Sequence, residues 1–242
     1  MSSDDACTHR DSSSTMCQTC GLRELCVPAG LSPAEMEQLE GIVNRKRSMK
    51  RGNYLYRAGG ELQSLFAVRT GFLKTCVLHD DGREQVAGFH MMGELLGMDA
   101  IGTGKHISDA IAIEDSEVCE IPFGEFERLG RELPALQQHF HRIMSREIAR
   151  DYGVMLLLGS MRAEERLATF LLNLSQRFAA RGYSSTQFIL RMTREEIGSY
   201  LGLKLETVSR AFSHFQSEEI VAVQNKNIEI KNIEKLRDLV GH

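Results

Sequence analysis

Three cysteines near the N-terminus have the type and spacing of metal ligands. They follow one another as Cys17-x2-Cys20-x5-Cys26, on a stretch that contains glycine and no histidine. Thiolates ligate zinc and iron, and a closed site needs four of them. Because the spacing is short, one flexible loop can supply three corners of a metal centre. The sequence therefore predicts a centre whose fourth ligand comes from elsewhere in the fold.

The fourth ligand has three candidates, which are Cys7, Cys76 and Cys119. Cys76 stands in an apolar run, which is typical of a small buried core residue, and Cys7 lies in a polar N-terminal tail. Spacing alone does not choose among these candidates, and it does not choose between zinc and an iron–sulfur cluster. Six cysteines in a chain that we expect to be cytosolic favour metal or redox chemistry over structural disulfides.

A second motif, near the other end of the chain, is typical of sequence-specific DNA binding. Apolar residues recur where a helix-turn-helix packs its two helices together: Ile197, Leu201, Leu203, Val208 and Ala211. Gly198 falls where the two helices cross closely, and Gly202 falls at the turn, where a left-handed conformation costs glycine little. The match predicts a second helix over about 204–216.

Three polar residues share the exposed face of that second helix. Positions three and four apart lie on one face, so Glu206, Ser209 and Arg210 can enter the major groove together. Arg210 can donate two hydrogen bonds to a guanine edge, Glu206 can accept one from cytosine, and Ser209 can do either. We predict that these residues read DNA bases; the alternative is an ordinary helix pair with a charged surface.

The intervening segments indicate the elements that position these two sites. A capping box at 32–35 predicts a short helix directly after the cysteine stretch. From about 46 to 123, short alternating or β-branched segments separated by glycine-rich turns are typical of an antiparallel roll or barrel. A helix over 163–180 and a weakly alternating stretch over 218–231 complete a winged helix-turn-helix domain.

A long helix is predicted after Pro134, reaching about Leu158. Five of its residues recur at the spacing of a two-stranded coiled-coil seam: Met144, Ile148, Asp151, Met155 and Leu158. A second stripe is expected to pack on the same protomer: Leu136, Phe140, Ile143, Val154 and Leu157. We therefore expect a homodimer, and the alternative is a single amphipathic surface helix.

Asp151 interrupts the apolar seam of this helix. In a symmetric parallel pair, two Asp151 carboxylates would face each other across a dry seam, where they repel and lose hydration. The helix is therefore predicted to dimerise weakly, which suits a switch.

Composition sets bounds on the class of protein. The chain has 242 residues, of which 42% are hydrophobic, so a sizeable core is available. It contains no run of about 18 apolar residues and no apolar leader, so we expect no membrane span and a cytoplasmic protein. The net charge of −4 does not indicate nucleic-acid binding, so the DNA prediction rests on the motif.

Together these features resemble the fumarate and nitrate reduction regulators, the oxygen-responsive branch of the cyclic-AMP receptor protein superfamily, from Cys17 to about Leu239. The resemblance is carried by the cysteine spacing and by the stretches at 88–95, 118–123, 163–167 and 206–210. It implies that Cys17, Cys20, Cys26 and Cys119 bind a 4Fe–4S cluster. It also implies that a dimer binds a palindrome resembling TTGAT-N4-ATCAA through Glu206, Ser209 and Arg210.

The same resemblance assigns two further sites. Ile148 and Asp151 would form the dimer switch, because the family uses an aspartate at the position that matches Asp151. The turn that contains Gly82 would contact RNA polymerase. An intact cluster would favour the dimer, and oxygen would degrade the cluster and release the DNA.

We therefore predict an α+β fold with four parts. Residues 1–16 form a disordered tail, 17–131 the cysteine loop and an antiparallel β-roll like that of cyclic-nucleotide-binding domains, 132–159 a dimerisation helix, and 160–242 a winged helix-turn-helix domain. The predicted function is an oxygen-responsive transcription regulator, mainly an activator, and not an enzyme.

Three alternatives are kept. One is a zinc-stabilised constitutive DNA binder, and another is a thiol-redox enzyme, which would need a Cys-x2-Cys pair at a strand-to-helix junction of an α/β fold. The third is a nucleotide-responsive regulator. In that branch an Arg-Ser pair binds the cyclic phosphate, but residues 105–108 of this chain are Lys-His-Ile-Ser. Because the arginine is missing, we expect an empty or filled-in nucleotide pocket.

Overall fold

The computed structural model describes residues 17, 20–43, 45–78 and 82–241. The predicted tail with Cys7, and residues 79–81 of the predicted polymerase-contact turn, lie outside the described residues. Among the helices that the structure describes, none is long and apolar enough to cross a bilayer.

Residues 45–122 form the predicted antiparallel roll. Its strands are β1 (Arg45–Met49), β2 (Tyr54–Tyr56), β3 (Ser64–Thr70), β4 (Phe72–Leu78), β5 (Glu84–Met91), β6 (Leu95–Leu96), β7 (Asp109–Ala112) and β8 (Ser116–Pro122). One sheet has the order β1-β8-β3-β6 and the other β2-β7-β4-β5, and both contribute side chains to a common core. Gly71 permits the tight turn between β3 and β4, because its φ is 84° and an added Cβ would lie 2.3 Å from Ser116 Oγ.

Four helices pack around the roll. They are α1 (Pro33–Ile42), α2 (Phe123–Glu132), α3 (Pro134–Ser160) and α4 (Ala163–Ala179). The predicted capping box begins α1, where the backbone N–H of Glu35 donates to Ser32 Oγ at 3.4 Å. Helix α2 was not predicted, although Phe126 and Leu129 give it a buried face at helical spacing.

The C-terminal region is the predicted winged helix-turn-helix. It contains β9 (Gln187–Ile189), α5 (Arg194–Leu201), α6 (Leu205–Ser217), β10 (Val221–Gln224), β11 (Asn227–Ile230) and α7 (Ile233–Asp238). The wing hairpin β10–β11 is joined by β9, which was not predicted, in a sheet of order β10-β11-β9.

The helix-turn-helix packs as the motif predicts. Ile197, Leu201 and Val208 are completely buried between its helices. Gly202 ends α5 with a φ of 62°, and an added Cβ on Gly198 would lie 2.6 Å from the Leu203 carbonyl oxygen. Both glycines are therefore needed to bring α6 this close to α5.

The roll and the C-terminal region share one hydrophobic core, a feature that the sequence did not predict. The ring of Phe89 on β5 lies 6.1 Å from that of Phe170 on α4 and 5.3 Å from that of Tyr200 on α5. The backbone N–H of Val86 donates to Ser199 Oγ at 2.9 Å. The roll therefore sets the position of the helix-turn-helix within the protomer.

Candidate metal centre and nucleic-acid interface

Four thiols line one cavity, and they belong to Cys17, Cys20, Cys26 and Cys119. The first three lie on a loop held by turns, in which the N–H of Cys26 donates to the Leu22 carbonyl at 3.0 Å. Cys119 stands on the central strand β8, opposite β1 on one side and β3 on the other. The structure thus brings together the four residues that the resemblance singled out, whereas Cys76 is buried on β4 and does not line this cavity.

Burial and nearby charge shift the pKa of three of these thiols. Burial raises the pKa of Cys17 and of Cys26 to about 12, and it also raises the pKa of Cys119. Arg69, which lines the same cavity and pairs with Glu117 at 3.2 Å, acts in the opposite direction on Cys17 and Cys119. The thiols of Cys17, Cys26 and Cys119 are therefore protonated at neutral pH, and a metal must displace their protons.

The thiols surround a space and do not converge on a point. Among the residues that the structure describes, no three His, Cys, Asp or Glu side chains are grouped so as to hold a metal ion. A tetrahedral zinc site brings its sulfurs to roughly 4 Å from one another, because each Zn–S bond is about 2.3 Å long. An iron–sulfur cluster binds each thiolate to a different iron and accommodates a wider ring.

The cysteine loop is bonded to the long helix α3. The Nε2–H of His139 on α3 donates to the carbonyl oxygen of Cys26 at 3.1 Å, and His139 is buried. Val27 of the loop shares a core with Leu136 and Ile143 of the same helix. Sequence reasoning missed His139, because a single histidine on a helix gives no local signal of a contact more than a hundred residues away.

Helix α3 leaves the predicted seam uncovered. Ile148 is 54% exposed and Met155 is 66% exposed, and Asp151 lies exposed between them. Tyr152 and Leu156, which were not predicted, extend this apolar stripe. The second predicted stripe is confirmed: Leu136, Ile143 and Leu157 are buried, and Phe140 and Val154 are half-buried. Such an apolar stripe is typical of a surface that associates.

The three predicted base-reading residues are exposed on α6. Glu206, Ser209 and Arg210 point away from the buried face formed by Val208 and Ala211. The N-terminus of α6 has no side-chain cap at Lys204. A helix N-terminus without a side-chain cap favours the approach of an anion such as a DNA phosphate.

In the region that corresponds to a nucleotide-binding site, several polar side chains bond to one another. His106 stacks on Tyr56 with 3.7 Å between ring centroids, and its Nδ1 lies 3.0 Å from Asp99 Oδ1. Ser108 Oγ donates to Asp99 Oδ2 at 3.0 Å. A cavity of about 370 Å³ remains between the roll and α3, lined in part by Arg150, which is ion-paired with Glu147. The pocket is therefore partly filled from within.

Gly82 is exposed beside the start of β5, with a φ of 81°. It adopts the left-handed conformation that favours glycine in hairpin turns.

Comparison with known proteins decides the family. The fumarate and nitrate reduction regulatory protein of Escherichia coli K12 is 47% identical to this chain over 226 residues. The matched residues are 93% of this chain and 90% of that protein. The chain belongs to the family of fumarate and nitrate reduction regulators. The transcriptional regulatory protein btr of Bordetella pertussis is also 47% identical, over 93% of each chain.

Domain and structural comparisons agree with this family. Residues 46–132 match a cyclic nucleotide-binding domain, and residues 165–239 match a Crp-like helix-turn-helix domain. The structure of FixK2 from Bradyrhizobium japonicum superposes with a TM-score of 0.76 at 29% identity, covering 82% of this chain and 98% of that one. The α+β fold is confirmed, and the protein is a DNA-binding transcription regulator, not an enzyme.

Proposed function

We propose that this regulator responds to oxygen and controls anaerobic gene expression, mainly as an activator. It would act in the cytoplasm as a homodimer when Cys17, Cys20, Cys26 and Cys119 hold a 4Fe–4S cluster. The observation that carries the proposal is the single cavity lined by these four thiols, beside a loop that is hydrogen-bonded to α3.

Four cysteine thiolates are the donor set of an iron–sulfur cluster and also of a structural zinc site, so the residues that line the cavity fit the proposed cluster. Arg23 and Arg69 line the cavity and would offset the negative charge of four thiolates. The cavity encloses about 40 Å³, and the cysteine loop forms one of its walls. When bound, such a cluster supplies a group that oxygen degrades.

The loop-to-helix contact supports a link between the metal centre and dimerisation. Cys26 is bonded through its carbonyl to His139, on the same helix that carries Ile148 and Asp151. Ordering of the cysteine loop would fix the first half of α3 and favour the dimer. Repulsion between two Asp151 carboxylates would return the protein to monomers when the loop is released, as a population shift between the two states.

A dimer would place two copies of α6 in successive major grooves, about one helical turn apart. Each α6 would read a half-site of a palindrome resembling TTGAT-N4-ATCAA through Glu206, Ser209 and Arg210. In this division of the chain, residues 17–131 sense, 132–159 dimerise and 160–242 bind DNA. The turn at Gly82 would contact RNA polymerase.

The proposal is tested on protein purified without oxygen. We expect iron and sulfide in equal amounts, visible absorption typical of an iron–sulfur protein, and binding to the palindrome that is lost on exposure to air. One zinc ion per chain and air-insensitive DNA binding would instead favour the zinc-stabilised regulator. Binding that requires a cyclic nucleotide would favour the nucleotide-responsive one.

Replacing Arg210 with alanine should cost about 1–3 kcal/mol of binding free energy per half-site, chiefly by losing discrimination at one guanine. The dissociation constant is measured on the palindrome and on sites altered at each base pair. Arg131→Ala, at an exposed position on α2, serves as the control for loss of one positive charge. Equal weakening on every sequence would contradict base reading and mark Arg210 as a phosphate contact.

A further inference from the structure

A buried carboxylate joins the roll to the helix that leads into the DNA-binding region. Glu94 lies in the turn between β5 and β6, with its side chain 13% exposed. Its Oε2 accepts from a terminal nitrogen of Arg177 at 2.6 Å, and its Oε1 accepts from Arg181 at 2.7 Å. Arg150 of α3 lies 3.6 Å from the same carboxylate. Three arginines from two other segments thus meet one acidic group.

Two of these arginines also donate to backbone carbonyls of the roll and of the turn that follows β5. Arg177, near the end of α4, donates to the Phe89 carbonyl at 2.7 Å, and Arg181 donates to the Met92 carbonyl at 2.6 Å. Burial acts to raise the pKa of Glu94, but the three arginines outweigh it and hold this pKa at about 2. Charge-assisted, multiply bonded contacts of this kind are stronger and more directional than neutral ones.

The turn that presents Glu94 also contacts the cysteine loop. Gly93 has a φ of 86°, and an added Cβ there would lie 2.9 Å from Cβ of Leu25, the residue before Cys26. The loop that carries three of the four thiols is therefore in close contact with Gly93, the residue next to Glu94.

Helix α4 in turn holds the helix-turn-helix. Arg166 on α4 donates to the Leu201 carbonyl, at the end of α5, at 2.9 Å. Since α5 and α6 pack closely at Gly198, a shift of α4 would carry the recognition helix with it.

We propose that Glu94 is a positioning residue for DNA binding. It fixes α4 against the roll of its own protomer and thereby sets the distance between the two recognition helices of a dimer. This inference deepens the proposed function and rests on it. Both oxygens of Glu94 are occupied by arginines, so the role is mechanical and requires no small ligand.

The test compares Glu94→Gln with the wild type, using full-length protein purified without oxygen. Dissociation constants are measured on the palindrome and on versions whose spacer is longer or shorter by one or two base pairs. We expect at least a tenfold loss of affinity at the natural spacing and little change at the altered spacings, because a loosened α4 no longer enforces one distance. Iron content and sedimentation should match the wild type. Glu127→Gln, at an exposed position on α2, removes the same charge and should leave all affinities unchanged.

Arg181→Gln carries the same test if Glu94→Gln does not fold, because it leaves Glu94 its contacts with Arg177 and Arg150. Equal weakening at all spacings would overturn the proposal, because it would show a general loss of stability. Unchanged affinity would overturn it as well. The spacing comparison requires only that the wild type binds the palindrome. A wild type that contains no iron would therefore refute oxygen sensing, whereas the role of Glu94 is decided by the spacing comparison alone.

Discussion

Replacing Cys119 with serine is expected to abolish iron incorporation and, with it, anaerobic binding to the palindrome. Cys119 lies on β8 between the paired strands β1 and β3, so its position at the cavity is fixed by the roll. A serine hydroxyl remains protonated at neutral pH and ligates iron poorly. The measurements are iron and sulfide per chain and the dissociation constant for the palindrome, all without oxygen.

Serine at Cys17, Cys20 or Cys26 should have the same effect, whereas Cys7→Ser and Cys76→Ser should retain full iron. Cys76→Ser is the stricter control, because it places a hydroxyl in the core and lowers stability without touching the cavity. A full complement of iron in Cys119→Ser would show that the ligand assignment is wrong.

Asp151→Ala is expected to dimerise and bind DNA in air, even without a cluster. The substitution removes facing carboxylates from a seam in which Ile148 and Met155 already expose apolar surface. Analytical sedimentation of aerobic protein measures the dimer, and binding to the palindrome measures its activity. Glu125→Ala, at an exposed position on α2, is the control for loss of one negative charge.

The competing explanation is that Asp151 is an exposed carboxylate on a solvated face. In that case the substitution would change little, since a hydrated surface charge contributes almost nothing. An aerobic Asp151→Ala protein that sediments as a monomer, indistinguishable from the wild type, would refute the switch.

Features that depend on near neighbours in the chain were predicted from the sequence. The capping box at Ser32 and the left-handed turn at Gly202 each involve residues a few positions apart, so their signals are complete in a short window. The three-cysteine loop belongs to the same class. The choice of Cys119 among three candidates came from the resemblance, and only the fold shows it beside that loop.

Features that join distant segments were not predicted. No periodicity shows that Phe89 meets Phe170 and Tyr200, or that Glu94 meets Arg177 and Arg181, because each contact depends on how a finished roll packs against finished helices. Two arginines one helical turn apart near the end of α4 were the available signal. By itself such a pair is typical of a solvated surface.

The shared core also limits how this protein can be divided or recombined. Because Phe89 of the roll packs against Phe170 and Tyr200, a fragment that begins at α4 would expose an aromatic surface to water. In a chimaera that takes its helix-turn-helix from a relative, the aromatic residues would meet matching side chains only if the outer face of β4 and β5 came from the same relative. Target specificity can therefore diverge by substitutions on the exposed face of α6. Exchange of the whole helix-turn-helix domain, in contrast, requires matching substitutions in the roll.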